Sequence, residues 1–444
     1  MTMTRRTMLE LGATASALPL VHIRTAGAAG TLSVGFWDHW VPGVNEVIRR
    51  MVSKWAAQTK THVTIDFITS VGNKNLLTLA AEDQAQTGHD IQAFPVWEVQ
   101  DHAAKLESMD DVVQRLTAKY GKLGPVVDYL AKVNGSYKAM PAISGSQNKP
   151  CCTRIDLFKQ YVGMNVQQVF PAAAEMGSGY EQWTWDAFAD AAAKCNKAGY
   201  PFGMPLGQFT DAVDWVGSLF RSYGAVLVNE KGDVTVNSDP VKQALEWSKE
   251  VVPSFPGDCF SWDDASNNRA LISGKAALIM NPPSAWAVAV TDNPTVGRQC
   301  WTHPAPAGPK GRFLPYLPFF WGVWTFAKNK SAAKELIEWL SERPQAEELC
   351  TASHGYDIPP FESMTDFKVW EEEAPPKGTL FNYPLRPQHH ATASIAAYPA
   401  PPEVAVQIYN QATMTKMIAK VTQSGQTIQQ AIDWAQGELE GFTR

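Results

Sequence analysis

A short run of aromatic and ionisable residues, Trp37-Asp38-His39-Trp40, stands where an alternating apolar segment ends. Two indoles can stack on a flat apolar surface, a carboxylate can accept hydrogen bonds from two hydroxyl groups, and an imidazole can donate or accept a proton. A strand end needs none of these groups for folding. Because His39 has no evident nucleophile to activate, the pattern favours a binding surface over a catalytic centre.

The elements around this run alternate between strand and helix signals. The segments TLSVGF, HVTIDFIT and DIQAFP predict strands, and VNEVIRRMVSKWAAQT and KNLLTLAAEDQAQ predict amphipathic helices between them. Three such steps in succession predict an α/β fold with a parallel sheet flanked by helices. The Trp37–Trp40 run then lies at the carboxyl end of the first strand, which is the edge where open α/β sheets bind ligands.

Later segments predict further helices, strands and turns. Thr184 and Gly199 bracket a helix as its N-cap and its terminating glycine, and Asp239-Pro240 is typical of another helix start after a predicted hairpin. The segment AALIM predicts a strand after a helix, and SAAKELIEWLSE and AVQIYNQATMTKMIAKV predict two helices near the C-terminus. We find no internal repeat.

The N-terminal residues 1–28 have the layout of an export signal. Arg5-Arg6 precedes a modestly apolar segment, which is followed by Ala26-Gly27-Ala28. The apolar segment is interrupted by Glu10 and Pro19 and is too short to span a bilayer of about 30 Å. We expect export by the twin-arginine route and a location in the periplasm.

Charge and cysteine content narrow the class of protein further. The formal net charge is −6, and removal of residues 1–28 takes away three arginines and one glutamate, which makes it −8. An acidic exported chain is a poor candidate for binding nucleic acid or an anionic membrane. The six cysteines are dispersed without metal-type spacing, so we expect one or two disulfides at most, and no metal or other cofactor.

Other loops that follow predicted strands repeat the mixture of flat aromatic and short polar side chains. The candidate ligand-binding residues in such loops, together with a tyrosine in the later HGYDIPP loop, are Trp37, Asp38, His39, Trp40, Trp97, Gln208, Asp211, Asn281, Trp286 and Tyr356. The three tryptophans Trp37, Trp40 and Trp97 also fit a buried core. Asp211 also fits a cap of the helix that follows it, and Asn281 fits a turn before two prolines.

Four stretches in this order resemble the extracellular solute-binding proteins of ABC importers, in the large family that includes maltose-binding proteins. They are QTGHDIQAFP, NGSYKAMPAISGSQ, NNRALISGKAALIMNPPSAW and AKNKSAAKELIEWLSERPQAEEL. The resemblance implies a two-lobed type II, or Venus-flytrap, fold in which each lobe is a mainly parallel sheet flanked by helices. Lobe 1 would comprise 31–143 and 323–372, and lobe 2 would comprise 144–322 and 373–444.

The resemblance also implies where ligand binds, namely in the cleft between the lobes. The crossings between lobes then add further candidates, Gly145, Ser146, Gln147, Phe320 and Trp321, with Phe319 beside them. No residue is assigned a catalytic role. The implied partners are a small solute and the permease subunits of an importer, and we expect a monomer.

A carbohydrate or similar solute fits the residue types best. The C–H face of a sugar ring packs on indole, and its hydroxyls pair with carboxylate and amide groups, for which Asp38 and Asp211 are the main candidates. Alternatives are a receptor of the same fold for a polyol, a polyamine or a glycerol-phosphate type of solute, and a secreted glycoside-active enzyme. An enzyme would require two carboxylates across the scissile bond. The chain contains no G-x-S-x-G, H-E-x-x-H or phosphate-loop motif.

Overall fold

The fold is taken from a computed structural model of the chain, which describes residues 30–386 and 389–443. The predicted export signal, 1–28, lies outside the described residues. Within them, no helix is both long enough and apolar enough to cross a membrane.

Strands and helices alternate along the first part of the chain, and helices dominate its end. The strands are β1 Thr31–Trp37, β2 His62–Ile68, β3 Ile91–Pro95, β4 Lys132–Val133, β5 Ser136–Tyr137, β6 Met140–Asn148, β7 Cys151–Arg154, β8 Leu278–Met280, β9 Cys300–His303, β10 Ala307–Gly308, β11 Gly311–Val323 and β12 Ala391–Ser394. The helices of seven or more residues are α1 Val44–Thr59, α2 Lys74–Ala85, α3 Asp110–Tyr120, α4 Pro125–Ala131, α5 Trp185–Lys197, α6 Thr210–Tyr223, α7 Asp239–Val251, α8 Ser266–Ile272, α9 Ser284–Asp292, α10 Lys330–Leu340, α11 Arg343–Ala352, α12 Pro402–Asn410, α13 Thr413–Thr422 and α14 Ile428–Phe442.

The first three strands form the parallel part of the larger sheet, as the alternation of signals predicted. β1 lies between β2 and β3 and runs parallel to both, with Trp37 opposite Ile68 at the end of β2. The apolar side chains Leu32, Val34 and Phe36 of β1 are buried, and α1 buries the side chains of its apolar face. Since parallel strands end at one edge, the loops after β1, β2 and β3 meet there.

Two long strands connect this sheet to the rest of the molecule. β11 pairs antiparallel with β3 through Phe319–Val323, and antiparallel with β6 on its other side. The register between β6 and β11 shifts between Leu317 and Phe319. The first residues of β11 pair instead with β10 and β12. The strand therefore joins these two short strands to the part of the sheet that contains β3 and β6.

The second sheet corrects one detail of the prediction. It consists of β7 between β8 and β9, and both pairings are antiparallel. The expectation of a mainly parallel sheet in each lobe is therefore wrong for these three strands. The mixed α/β class with a central sheet flanked by helices is confirmed.

Local sequence signals predicted the positions of the helices more accurately than the residues that cap them. Thr184 caps α5 as predicted, since its Oγ1 accepts a hydrogen bond from the Ala187 N–H at 3.2 Å. At α7 the N-cap position is held by Ser238, and Asp239 is the first helical residue. The predicted hairpin before α7 is reduced to a single bridge between Val228 and Val234. All six cysteines are buried free thiols.

Candidate functional site

A cavity with about 560 Å³ of empty space, part of it open to solvent, lies at the carboxyl ends of β1, β2 and β3. Its lining residues are Trp37, Trp40, Ser70, Asn73, Asn75, Leu76, Pro95, Trp97, Glu98, Gln147, Thr210, Asp211, Asp264, Leu317, Phe319, Tyr409 and Asn410.

These residues come from three parts of the fold. The strand wall is the group that follows β1, β2 and β3: Trp37, Trp40, Ser70, Asn73, Asn75, Leu76, Pro95, Trp97 and Glu98. The acidic wall is the group around α6 and the end of α12: Thr210, Asp211, Asp264, Tyr409 and Asn410. The two long strands supply Gln147, Leu317 and Phe319 between the walls.

Aromatic rings dominate the strand wall. The ring of Trp37 lies 5.1 Å from that of Phe319 and 6.4 Å from that of Trp40, in tilted and edge-on arrangements. Trp97 is buried and donates from Nε1 to the Ala396 carbonyl at 3.0 Å. Aromatic side chains with one face on the cavity supply broad apolar surface there.

The acidic wall is built on a buried ionic cluster. Lys149 is fully buried, and its Nζ contacts Asp211 Oδ1 at 2.7 Å and Asp214 Oδ2 at 2.6 Å. Burial opposes the charge of Lys149, but Asp211 and Asp214 outweigh it and raise the pKa of the lysine. Tyr409 donates to Asp214 Oδ1 at 2.8 Å. The lysine therefore stays charged and is shared by two carboxylates.

Asp264 is the third carboxylate of the cluster, and it has no direct cationic partner among the described residues. Its oxygens accept hydrogen bonds from the Asp211 N–H at 3.0 Å and the Thr210 hydroxyl at 2.9 Å. Burial and the neighbouring charge of Asp211 raise the pKa of Asp264 to about 7, while Lys149 opposes the shift. At neutral pH this carboxyl group is thus partly protonated.

Glu98 joins the strand wall to the acidic wall. Its Oε1 accepts a hydrogen bond from Asn410 Nδ2 at 3.0 Å, and its Oε2 lies 3.4 Å from His102 Nε2. The other ring nitrogen of His102 lies 2.5 Å from Asp83 Oδ2. Burial disfavours the charge of His102, but Glu98 and Asp83 raise its pKa on balance.

Glu98, Asp101 and His102 have donor atoms within 4.8 Å of one another, the spacing of a metal site. Both ring nitrogens of His102, however, already face carboxylates. A histidine bound in this way on both sides favours its protonated form, which has no free lone pair for a metal. We assign no metal to this group.

Five of the residues predicted from the sequence line the cavity. They are Trp37, Trp40, Trp97, Gln147 and Asp211. Gln147 is buried, and its Oε1 makes no hydrogen bond with the described residues. For Asp211 the predicted role as a free hydroxyl anchor needs correction. Its oxygens already accept hydrogen bonds from Lys149, Asn267 and Asn281, and its carboxylate does not cap its own helix.

The remaining predicted residues lie outside the cavity lining. Asp38 accepts a hydrogen bond from Asn45 Nδ2 at 2.7 Å, and His39 is buried against Asp357 at 3.1 Å. Asn281 lies behind Asp211, and Trp286 is buried and points to the Pro375 carbonyl. The others are Gly145, Ser146, Gln208, Phe320, Trp321 and Tyr356.

His39 and Gly145 belong to one supporting arrangement. The Val41 N–H donates to His39 Nδ1 at 3.0 Å, which leaves Nε2–H to donate to Asp357. Asp357 Oδ1 also accepts the Gly145 N–H at 2.8 Å. Gly145 has a φ of 93°, and a Cβ there would lie 2.9 Å from the ring of Phe319. These residues position the aromatic rings from behind.

Phe319 was named from the sequence beside the candidates Phe320 and Trp321, and it is the one of the three that lines the cavity, together with Leu317. Side chains alternate along a strand, so Leu317 and Phe319 face the cavity while Phe320 points to the other side. Trp321 lies deeper in the sheet and packs on Phe36 at 5.7 Å. The run PYLPFFWG is apolar on both faces of the strand, so the sequence does not show which of its side chains face the cavity.

Sequence reasoning also missed one complete loop and one helix end. Ser70, Asn73 and Asn75 follow β2, whose carboxyl end lies beside that of β1. The rule that selected the loops after the first and third strands would have found them. Asp264, Tyr409 and Asn410 carry no such signal, because only the packing of α12 and the segment before α8 brings them to α6.

Comparison with known proteins identifies the family of the chain. A family model described as a bacterial extracellular solute-binding protein matches residues 51–376. The chain therefore belongs to this family, and the sequence-based resemblance is confirmed. No curated protein sequence matches the chain at a significant level.

Solved structures confirm the two-lobed fold. The maltose-bound MalE3 of T. maritima is similar, with a TM-score of 0.74 and 18% identity over 93% of this chain and 99% of that one. A solute-binding protein of Thermotoga lettingae TMO with α-D-tagatose has a TM-score of 0.72 and 15% identity over 94% and 100%. One from Agrobacterium radiobacter K84 with ribitol has a TM-score of 0.68 and 16% identity over 94% and 99%.

Proposed function

We propose that the protein is the solute-binding component of an ABC importer and that it captures a sugar or a sugar-like solute in the periplasm. The observation that carries this proposal is the cavity itself, in which Trp37, Trp40, Trp97 and Phe319 surround a space lined with amide and hydroxyl groups. The ligands bound in the similar structures, namely maltose, α-D-tagatose and ribitol, support it.

The physical match is between two kinds of surface. A pyranose ring has an apolar face of C–H bonds, which packs on aromatic rings, and a rim of hydroxyls that both donate and accept. Asn73, Asn75, Thr210 and Asn410 offer groups of both types to such a rim. A flat aromatic wall with amides at its border suits a ligand that is apolar on its faces and polar on its edge.

The path of the chain supports capture by closure. The cavity is bordered by loops from the three parallel strands on one side and by α6 and α12 on the other. The predicted lobe boundaries assign these two sides to different lobes, which are connected through β6 and β11. A ligand that contacts both sides would shift an open–closed equilibrium toward the closed form. The closed form would then deliver the ligand to the permease subunits.

The proposal includes the export route and excludes bond chemistry. Arg5-Arg6 and the small residues after the apolar segment support twin-arginine export. Hydrolysis of a glycoside would need one carboxylic acid and one carboxylate across the bond. Of the pair proposed from the sequence, Asp38 lies outside the cavity and the oxygens of Asp211 are occupied by internal partners. Both findings favour binding over hydrolysis.

The test is a binding panel on the exported protein. Thermal shift and calorimetry with mono- and disaccharides and polyols should reveal at least one ligand that raises the melting temperature. Trp97→Ala should weaken the binding of that ligand, whereas Trp339→Ala, in α10 and outside the cavity lining, should not. A panel without heat or thermal shift for any sugar or polyol would contradict the proposal.

A further inference from the structure

The charged side chains that line the cavity are all acidic. Glu98, Asp211 and Asp264 line it, and Asp214 lies directly behind Asp211. No lysine, arginine or histidine lines it. The described cations in contact with these carboxylates are Lys149, shared by Asp211 and Asp214, and His102, beside Glu98. Asp264 is left without a cation of its own.

A second observation points in the same direction. Gln147 is 4% exposed, lines the cavity and leaves its Oε1 acceptor without a hydrogen-bond donor. It is two residues before Lys149, whose N–H continues the ladder to the Pro315 carbonyl at 2.8 Å. Alternate residues of an extended strand point to the same side. Gln147 is thus directed to the side on which Lys149 meets Asp211.

A buried acceptor without a donor is costly, and a buried carboxylate without a cation is more costly still. Both costs are relieved by the same kind of ligand group, which donates several hydrogen bonds and carries a positive charge. A protonated amine has these properties, because it offers three N–H donors and no acceptor. A neutral hydroxyl would satisfy Gln147 but not the charge.

We propose that the solute is a carbohydrate or cyclitol that carries a protonated amino group. Asp264 receives this group, the Gln147 amide turns its Oε1 toward it, and the aromatic rings hold the sugar ring. This inference rests on the proposed function, since it assigns a chemical class to the solute of the same cavity. Glu98 and Asp264 join Asp211 as the acidic residues that line this cavity.

The state of Asp264 without ligand supports the proposal. The titratable groups that act on it are Asp211, Lys149, Tyr356 and Tyr409. Burial raises the pKa of both tyrosines, so they carry no charge near neutral pH. Because the pKa of Asp264 is raised to about 7, a proton partly neutralises the cluster at that pH. A bound ammonium would take the place of this proton, which would leave to solvent.

The experiment is calorimetry at pH 7 with matched saccharides: glucose, N-acetylglucosamine and glucosamine, the galactose and mannose series, and cellobiose against its diamino counterpart. We expect the amino form of at least one series to bind ten or more times tighter than its neutral forms. In Asp264→Asn this preference should fall to within about twofold. Asp258→Asn, an exposed aspartate outside the cavity, removes the same charge and should keep the preference.

Proton release gives a readout that does not depend on how well the variant folds. Repeating the titration of the wild type in buffers of different ionisation enthalpy should show release of up to about half a proton per amino saccharide, because a group with a pKa near the working pH is half protonated. Titration of the wild type with the neutral saccharides of each series gives the baseline for proton release.

The outcomes separate the two proposals. Neutral and amino forms that bind equally well, or neutral forms that bind tighter, would overturn this inference and leave the sugar receptor in place. Absence of binding to every saccharide of both types would overturn both. Binding of spermidine without any saccharide would show a receptor for linear amines and would likewise overturn both.

Discussion

The two sides of the cavity differ in the way they hold a ligand. The strand wall consists mainly of aromatic and amide side chains on loops that follow parallel strands, with Glu98 at its border. The acidic wall consists of carboxylates supported by a buried lysine and by helix α6. Stacking on the strand wall depends on shape and contact area. The acidic wall depends on charge, so its contribution should vary with pH and with the ligand's amino group.

This difference has a structural origin. The strand wall is held by the sheet itself, since Trp37 is the last residue of β1 and Trp97 comes two residues after β3. The acidic wall is built around one buried cation, Lys149, which contacts two aspartates of the same helix. Removal of a ring that faces the cavity should reduce affinity in addition to stability, whereas removal of Lys149 should reduce stability first.

The largest effect is expected from Lys149→Met. The change leaves Asp211 and Asp214 buried without their cation, and loss of one partner from a buried ion pair costs about 3–5 kcal/mol. Urea unfolding followed by circular dichroism measures it. Lys194→Met, which breaks the exposed pair with Asp190, should cost less than about 1 kcal/mol. Equal losses in the two variants would show that the acidic wall is not held by Lys149.

Gly145→Ala is expected to have the next largest effect, and it acts on the aromatic rings. Its positive φ is strained for alanine, and the new Cβ would meet Phe319 at 2.9 Å and Trp37 at 3.1 Å, so about 1–3 kcal/mol of unfolding free energy should be lost. Gly43→Ala has a similar φ but open space around it. Unfolding curves that coincide for the two variants would mean that contact with the rings adds nothing.

Trp97→Ala tests the strand wall in binding. Loss of one stacked ring and its buried surface should weaken the best saccharide about tenfold, or about 1.4 kcal/mol. Trp97→Phe keeps a flat ring but loses the bond from Nε1 to the Ala396 carbonyl, and should retain most of the affinity. Calorimetry on both variants decides whether the ring or its hydrogen bond matters, and unchanged affinity in Trp97→Ala would place Trp97 in the core alone.

The smallest effect is the pH dependence of the acidic wall. Asp264 holds its proton more tightly in the folded chain than in the unfolded chain, so its contribution to stability is complete below the ordinary pKa of aspartate and disappears as pH rises through about 7. Between pH 6 and pH 8 the protein without ligand should lose about 1.4 kcal/mol from this group.

The comparison with Asp264→Asn isolates that contribution. Two other groups also have a raised pKa. Burial raises that of Asp214, and the carboxylates beside His102 raise that of the histidine against the effect of burial. Both groups therefore also lower the stability as pH rises. The informative quantity is therefore the difference between wild type and Asp264→Asn in unfolding free energy at pH 6 and pH 8. A difference that is the same at pH 6 and pH 8 would show that the pKa of Asp264 lies outside this range.

The sequence was sufficient for those parts of the fold that depend on local pattern. Alternation of apolar residues located β1 and β2, the spacing of apolar residues located α1, and Thr184 marked the start of α5. A short strand such as β8 was also recognisable because its apolar run is bounded by turn residues. The segment before the C-terminus divides into α12 and α13 at Ala412, whose φ is 51°, and no turn residue announces this break.

For the cavity, the sequence determined which loops meet and which residue types they bring. Trp37, Trp40 and Trp97 follow strands of one parallel sheet, and the ends of such strands share an edge for geometric reasons. Only the tertiary structure decided which side chains face the ligand space and which charges meet. The parity of β11 selects Phe319 over Phe320, and Lys149 lies 65 residues from Asp214 in the chain yet bonds to it at 2.6 Å. Such contacts depend on how distant segments pack. Once packing has buried two opposite charges, they must pair, because a buried charge without a partner is costly.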